Sequence, residues 1–400
     1  MNIVFINTVK NSGSTGRITA DLAHTAENNG FTSYTAYGRG EAAANFNEYR
    51  IGNRVDFVKH VAFHFATGRN GFFSQSVTKR FLRWLDGINP DLIHLHNIHG
   101  FYLHIGMLFD YIKQHNIPVI WTFHDCWPFT GHCAHFDYIH CTQWQEGCHN
   151  CSIYRSSYPY SIFKDNCIEN FALKKEAFTN VQNLTIVTPS YWLSDLLKSS
   201  FLKQYTTKVI PNGINLQVFK PLNMENPNPD TKNILGVANV WSARKGLSAF
   251  LQLAEMLDDS YHITLVGLNT HQQLKIKKLF PHKITPLKRT QNLEELVALY
   301  NNAYVFVNPT LEDTFPTTNL EALACGTPVI TYQTGGSPES IDSSCGIVVE
   351  KDNIKALYDA ILSLPNSNIT RTACRQRALL YNKDTCFQEY IKLYRNILNL

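Results

Sequence analysis

Short apolar runs alternate with amphipathic helical patterns along almost the whole of this chain, an alternation that points to parallel α/β sheets. In the first half the runs fall at residues 3–7, 33–37, 92–95, 119–123 and 184–188. Each is rich in β-branched or aromatic residues and is bounded by Gly, Pro, Asn or Asp. The pattern stops at Val209. A stretch from Pro221 to Pro229 then carries three prolines and no periodicity, which is the composition of a linker. A second series starts at 233–238 and continues through 263–266, 305–308, 329–332 and 347–349. Helical segments between, such as 247–257 and 293–300, repeat apolar residues at i, i+3 and i+4, so each can lay one face on a sheet. At 400 residues the chain is long enough for two cores. The expected fold is α/β, with two Rossmann-like domains, 1–210 and 211–383, facing across a cleft. A final helix, 384–400, has Phe387, Tyr390, Ile391, Tyr394 and Ile397 along one stripe and can cross back to the first domain. Ligands of open parallel sheets bind beyond the carboxyl ends of the strands, so the cleft is the expected site.

Composition narrows the function. Hydrophobic residues make up 44% of the chain and charged residues 17%, which excludes a disordered or fibrous protein. The net charge of +4 is spread along the sequence without a basic run, so nucleic acid is not an expected partner and a smaller anion is. Residues 2–7 read as a strand and not as a secretory leader, and no window approaches the ~18 apolar residues of a spanning helix. The expected location is the cytoplasm, with docking at the inner face of the cytoplasmic membrane left open.

Two stretches of the second half carry the chemistry. After the strand ending at Asn308, a loop bearing Glu312 and Asp313 runs into a helix that starts near Thr317 or Thr318 and ends at Gly326. Hydroxyl caps from Thr317 and Thr318, and the free amides of a helix start, would make an anion site suited to phosphate. Glu321, one turn in, can accept from ribose hydroxyls; the plainer alternative is that it complements the helix dipole while Asp313 is a solvated loop residue. Upstream, Val240-Trp-Ser-Ala-Arg-Lys-Gly246 sets Arg244 and Lys245 at a strand-to-helix turn. A forked guanidinium beside a point charge suits a diphosphate, although such a pair is often only a solvated surface.

The spacing Asp313, seven residues, Glu321, then Ala-x-Ala-x-Gly-x-Pro-Val resembles the signature of glycosyltransferase family 4, whose members have the GT-B fold and retain anomeric configuration. The family usually has glutamate as the first acid, followed by Gly-Phe-Gly; here the aligned residues are Asp313, Thr314, Phe315 and Pro316. The resemblance implies that Arg244 and Lys245 hold the donor diphosphate and stabilise the departing nucleotide. It implies a ribose contact for Glu321 and places Phe315, Pro316 and Thr317 in the donor site. Asp313 inherits a sugar contact on a side chain one methylene shorter. In the first half, residues 91–97 are similar to the family's strand ending in His-x-His, which singles out His96. Residues 119–127 resemble its Val-x-Thr-x-His-Asp element, so His124 is expected to hydrogen-bond the donor sugar; a buried structural histidine is the alternative. The catalytic set expected is thus His124, Asp313, Arg244 and Lys245. The turn holding Gly13, Ser14, Thr15 and Gly16 lacks the G-x-G-x-x-G of a dinucleotide site. It lets backbone approach a ligand on the acceptor side, or is a tight turn and nothing more.

Cys126, Cys133, Cys141, Cys148 and Cys151 crowd into residues 126–151, and Cys148-His-Asn-Cys151 is a knuckle. Cys133, Cys141, Cys148 and Cys151 can build a structural zinc site, with His132, His135, His140 and His149 as substitute ligands; free or transiently oxidised thiols are the other reading. Family 4 enzymes of surface-polysaccharide clusters have a similar Trp-Pro-Phe-Thr-Gly-x-Cys stretch, which implies an insert shaping the acceptor side. The chain has no Asp-x-Asp, so no divalent ion is expected under the diphosphate and no cofactor is required for transfer. The function expected is a retaining, metal-independent transfer from a nucleotide-diphosphate sugar to a hydroxyl of a glycan or lipid-linked glycan. A nucleotide-sugar epimerase of the same fold and a non-catalytic, zinc-stabilised scaffold are the alternatives.

Overall fold

The structure is a computed structural model that describes residues 1–43, 45–223 and 231–400. Its contacts divide the chain into two compact units, Met1–Pro211 with Cys386–Leu400, and Asn212–Thr385. Most of the expected linker, from residue 224 onward, lies outside the described residues.

Among the described residues the first unit holds seven parallel strands: β1 (Asn2–Val9), β2 (Thr32–Arg39), β3 (Glu48–Arg50), β4 (Leu92–Leu95), β5 (Val119–Thr122), β6 (Leu184–Thr188) and β7 (Thr206–Val209). Their order is β3-β2-β1-β4-β5-β6-β7, so the winding reverses between β1 and β4. β4 and β5 are buried along their whole length, as strands covered on both faces must be. β3 and β7 were not anticipated. Both are short, half-exposed edge strands, and Thr206-Thr-Lys-Val209 has too little apolar content to stand out.

The helix Lys383–Leu398 joins the first unit from Cys386 onward. Phe387, Tyr390, Ile391 and Tyr394 pack there with Ile3, Phe5 and Leu22. His94 pins it: Nδ1 lies 2.7 Å from the Tyr394 hydroxyl and Nε2 lies 2.8 Å from Thr122 Oγ1. Residues 126–151 fold as three short 3-10 turns around Phe129, Phe136 and Trp144, whose buried rings sit about 5–6 Å apart in the same core.

The second unit repeats the plan with β8 (Lys232–Val237), β9 (Tyr261–Val266), β10 (Ile284–Leu287), β11 (Val305–Asn308), β12 (Val329–Tyr332) and β13 (Gly346–Val349). The order is β10-β9-β8-β11-β12-β13, all parallel, with the reversal between β8 and β11. β10 also escaped the sequence reading because Pro286 interrupts it; an edge position is where a strand tolerates proline. Among the described residues no helix is long and apolar enough to cross a membrane.

Candidate active site

In the second unit the loops leaving β8 and β11 are stitched together at the reversal point. The 3-10 turn Ala243–Lys245 ends on Gly246, whose φ of +74° is left-handed. A Cβ on Gly246 would overlap the carbonyl of Pro309, and the Leu311 amide donates to the Arg244 carbonyl at 2.7 Å. Only glycine permits this approach. It brings the two cations to the acidic loop: Arg244 donates to the Glu312 carbonyl, and the Lys245 ammonium pairs with Asp313 Oδ2. The paired side chains are 24% and 16% exposed, so the pair is only partly screened by water. Burial lowers the Lys245 pKa and Arg244 adds to the fall, against the opposing pull of Asp313.

The helix Thr317–Ala324 follows directly. The hydroxyl caps expected from Thr317 and Thr318 are not made: Pro316 occupies the N-cap, and among the described residues no side-chain cap hydrogen bond is formed there. The chain enters the helix one residue earlier than a threonine cap needs, and the amide ends are left uncapped. What holds this start is Asn319 underneath it. Its Oδ1 accepts from Asn308 Nδ2 at 2.8 Å, and its Nδ2 donates to Ser337 Oγ at 3.0 Å and Ser340 Oγ at 2.9 Å. Gly335, at φ +54°, lets the next loop lie against Asp313, where the Gly336 amide reaches the Asp313 carbonyl at 2.9 Å. Sequence reasoning missed Asn308, Asn319, Ser337 and Gly335. An asparagine on the buried face of a helix was the available signal.

Phe315 is buried with its ring 5.6 Å from that of Tyr381, so it supports the loop and does not present its ring to a ligand. Pro316 is also buried, and Thr317 is half-buried. Glu321 is buried too. Its Oε2 accepts from the Tyr300 hydroxyl at 2.9 Å. Burial and the Glu321 charge hold the Tyr300 phenol well above its usual range, so it remains a donor.

In the first unit three imidazoles stack at the ends of β4 and β5. Ring centroids are 4.3 Å apart for His94 and His96, and 5.3 Å for His96 and His124. His96 Nδ1 lies 3.0 Å from His124 Nε2. Burial lowers the His124 pKa to about 4 despite Asp125, and holds His96 well below the usual range, so both rings are neutral near pH 7. Burial works to raise the Asp125 pKa, but His99, 2.9 Å away, and the Trp127 amide bring it to about 2. Gly13, Ser14, Thr15 and Gly16 form the first turn of the helix Gly13–Asn28 and not a loop before it. Gly16 is buried, and a Cβ there would press on Val9 at 3.2 Å, so its small size serves helix-to-strand packing.

Cys133, Cys141, Cys148 and Cys151 line one cavity of about 40 Å³. The thiols of Cys133 and Cys151 are hydrogen-bonded, and Cys148 Sγ accepts from the Gly131 amide at 3.1 Å. As the side chains stand, no group of three or more His, Cys, Asp or Glu among the described residues is set to hold a metal ion. His132 lines the cavity, whereas His140 and His149 are exposed and do not, which removes them as substitute ligands.

Two parallel doubly wound units, one carrying adjacent cations beside an uncapped helix start, have the architecture of a GT-B glycosyltransferase. The chain matches Glycosyltransferase Family 4 over residues 15–218 and Glycosyl transferases group 1 over residues 220–380. It belongs to glycosyltransferase family 4, and it is a transferase of the hexosyl-transferring type. It is 24% identical to the putative colanic acid biosynthesis glycosyl transferase WcaC of Escherichia coli K12, over 99% of this chain and 100% of that one. It is 28% identical to a Campylobacter jejuni N,N'-diacetylbacillosaminyl-diphospho-undecaprenol α-1,3-N-acetylgalactosaminyltransferase, over 51% of this chain and 58% of the relative. Anabaena HepE, solved with UDP and with UDP-glucose, has the same fold at a TM-score of 0.67 and 12% identity, covering 99% of this chain and 100% of HepE.

Proposed function

We propose that this enzyme moves a sugar from a nucleotide-diphosphate sugar to a hydroxyl of a glycan or lipid-linked glycan, with retention and without a metal at the diphosphate. The observation that carries the reading is that Arg244, Lys245 and the uncapped amides at Thr317 stand on the loops beyond the carboxyl ends of the central strands β8 and β11. Negative charge grows on the departing phosphate in the transition state. A fixed guanidinium, an ammonium and helix-start amides stabilise that charge as a divalent ion would. Glu321, oriented by Tyr300, accepts from the ribose hydroxyls, and Asp313, oriented by Lys245, contacts the sugar. His124 offers a neutral imidazole for a further sugar hydrogen bond. Asp313 is engaged by a cation and is a poor nucleophile. The course this site suits is therefore a front-face one, in which the leaving phosphate takes the acceptor proton.

The names of the relatives support the substrate classes: colanic acid biosynthesis for a surface polysaccharide, a diphospho-undecaprenol acceptor for the lipid link, and UDP-glucose for the donor. Such an acceptor would place the enzyme in the cytoplasm at the inner membrane face. The test is a panel of nucleotide sugars with undecaprenyl-diphosphate-linked oligosaccharides in excess EDTA, with the product anomer read by NMR. Retained configuration at an undiminished rate is expected. Inversion, dependence on a divalent ion, or isomerisation of the donor without transfer would contradict the proposal.

A further inference from the structure

Lys174 stands out among the buried groups of the first unit. It sits on the helix Cys167–Phe178 and is 0% exposed. Its ammonium donates to the carbonyls of Trp127 at 2.8 Å and Thr130 at 2.9 Å, and lies 3.7 Å from the centroid of the Trp127 ring. Neither hydrogen-bond partner is a carboxylate. A buried ammonium is costly unless a negative charge balances it. The titratable groups that act on it are Cys148, Cys133 and Asp125, and Asp125 is already committed to His99.

Two of those three groups belong to the cavity lined by Cys133, Cys141, Cys148 and Cys151. We propose that these four cysteines bind one thiophilic metal ion, with zinc the best fit, and that Lys174 is the buried cation that balances the centre. Binding takes four thiols to thiolates and releases four protons to solvent, with no change of oxidation state; a tetrathiolate zinc centre then carries about two negative charges. The cavity of about 40 Å³ has room for one ion. The free thiols do not yet surround a common point. Cysteine has a single side-chain torsion, so the four thiols can turn into the cavity they line.

The surroundings already favour sulfur as an acceptor. The Gly131 amide donates to Cys148 Sγ, and the amides of Ile153 and Tyr154 act on the Cys151 sulfur, the N–H···S pattern that steadies a thiolate in a knuckle. Gly131 is obligatory there, since a Cβ would overlap the Cys167 carbonyl. His132, 1% exposed, lines the same cavity, and its polar neighbour on the backbone is Ser157. A thiolate within reach of its N–H would accept from it. The ion would tie Cys133 and Cys141 to Cys148 and Cys151, fastening the segment that follows His124.

The experiment uses the full-length protein, expressed without a histidine tag. Zinc is measured by elemental mass spectrometry, and the cobalt-exchanged protein by visible absorption. About one zinc per chain is expected, with the thiolate-to-metal charge transfer and intense d–d bands of a tetrahedral cobalt–thiolate centre. Cys148→Ser/Cys151→Ser should lose the zinc. Lys174→Met, with all four cysteines intact, should bind zinc at least tenfold more weakly against a chromophoric chelator. Should the cysteine variant fail to fold, the cobalt spectrum of the unaltered protein decides. Protein that takes up neither ion, or a Cys133–Cys151 disulfide in freshly isolated protein, would overturn the metal site. Unchanged zinc affinity in Lys174→Met would overturn the role of that lysine.

Discussion

Lys245 and Asp313 are ion-paired across the two loops that leave adjacent strands β8 and β11, so the donor-site cation and the shortened acid of the motif hold each other in place. The pair restores part of what the missing methylene takes from Asp313, because the ammonium fixes the direction of the carboxylate. Lys245→Ala is expected to lower kcat by about 10²–10³-fold, the range for losing a preorganised group at a developing charge. Steady-state kinetics with a saturating donor check this; a change confined to KM would contradict it.

The same lysine sets an alkaline limit. Its pKa is lowered from 10.5, so the ammonium is present at low pH and is lost as pH rises through the lowered value. The kcat profile should therefore fall on the alkaline side before a free lysine would titrate. Lys245→Arg, where active, should move that limb to higher pH. Superimposable profiles for the two enzymes would count against a charged Lys245 at the reaction centre.

Tyr300 and Glu321 test the ribose contact. Tyr300→Phe removes one hydrogen bond from a buried carboxylate, a loss of about 1–2 kcal/mol, or roughly 5–30-fold. The effect should fall on donor KM, with kcat nearly unchanged, because the ribose is remote from the bond being broken. A collapse of kcat at constant KM would place Glu321 in a different role.

Gly246 can be tested without touching a charged group. Gly246→Ala forces a side chain into a left-handed conformation, costing about 1–2 kcal/mol, and drives a Cβ into the Pro309 carbonyl. The variant should melt lower and lose transfer activity together, since the turn that moves is the one carrying Arg244 and Lys245. Full activity in a destabilised variant would show that the stitch between the two loops is dispensable.

Acid should weaken the first unit through its neutral histidines. Burial lowers His94 to about 3, and His124 and His132 to about 4, from an unfolded value near 6.5. The unfolded chain binds more protons in that window, so stability is fully present above about pH 6.5 and is lost as pH falls toward 4. Melting temperatures at pH 7.5 and 5.0 should differ, and His94→Asn should flatten the dependence. A flat profile for the unaltered protein would contradict the depressed values.

Much of the fold was legible because its central strands are short, apolar and punctuated. The ten runs read from the sequence coincide with ten of the thirteen strands among the described residues. The strands that escaped, β3, β7 and β10, lie at sheet edges, where half-exposed or proline-containing segments carry no apolar pattern. At the site, Arg244 and Lys245 were legible as an adjacent cation pair closed by Gly246, whereas Asp313 and Glu321 stood out only through the resemblance to the family 4 signature. Their partners were not. That Tyr300 bonds Glu321, or that Asn319 anchors the helix start in place of a threonine cap, depends on which buried faces meet, and no local spacing records that. The cysteine spacing suggested a shared site, but Lys174 lies well outside that window and only the fold brings it near.

Transfer by this site requires a nucleotide diphosphate to bind the second unit through side-chain and backbone positive charge. Calorimetric titration of UDP, GDP, ADP and TDP in EDTA tests this most directly, comparing the unaltered protein with Arg244→Ala/Lys245→Ala. At least one diphosphate should bind the unaltered protein, and the double variant, with an unchanged circular dichroism melt, should bind it about 100-fold more weakly, the equivalent of roughly 2.7 kcal/mol. Equal affinity in the two proteins, or binding that appears only when a divalent ion is supplied, would contradict the account.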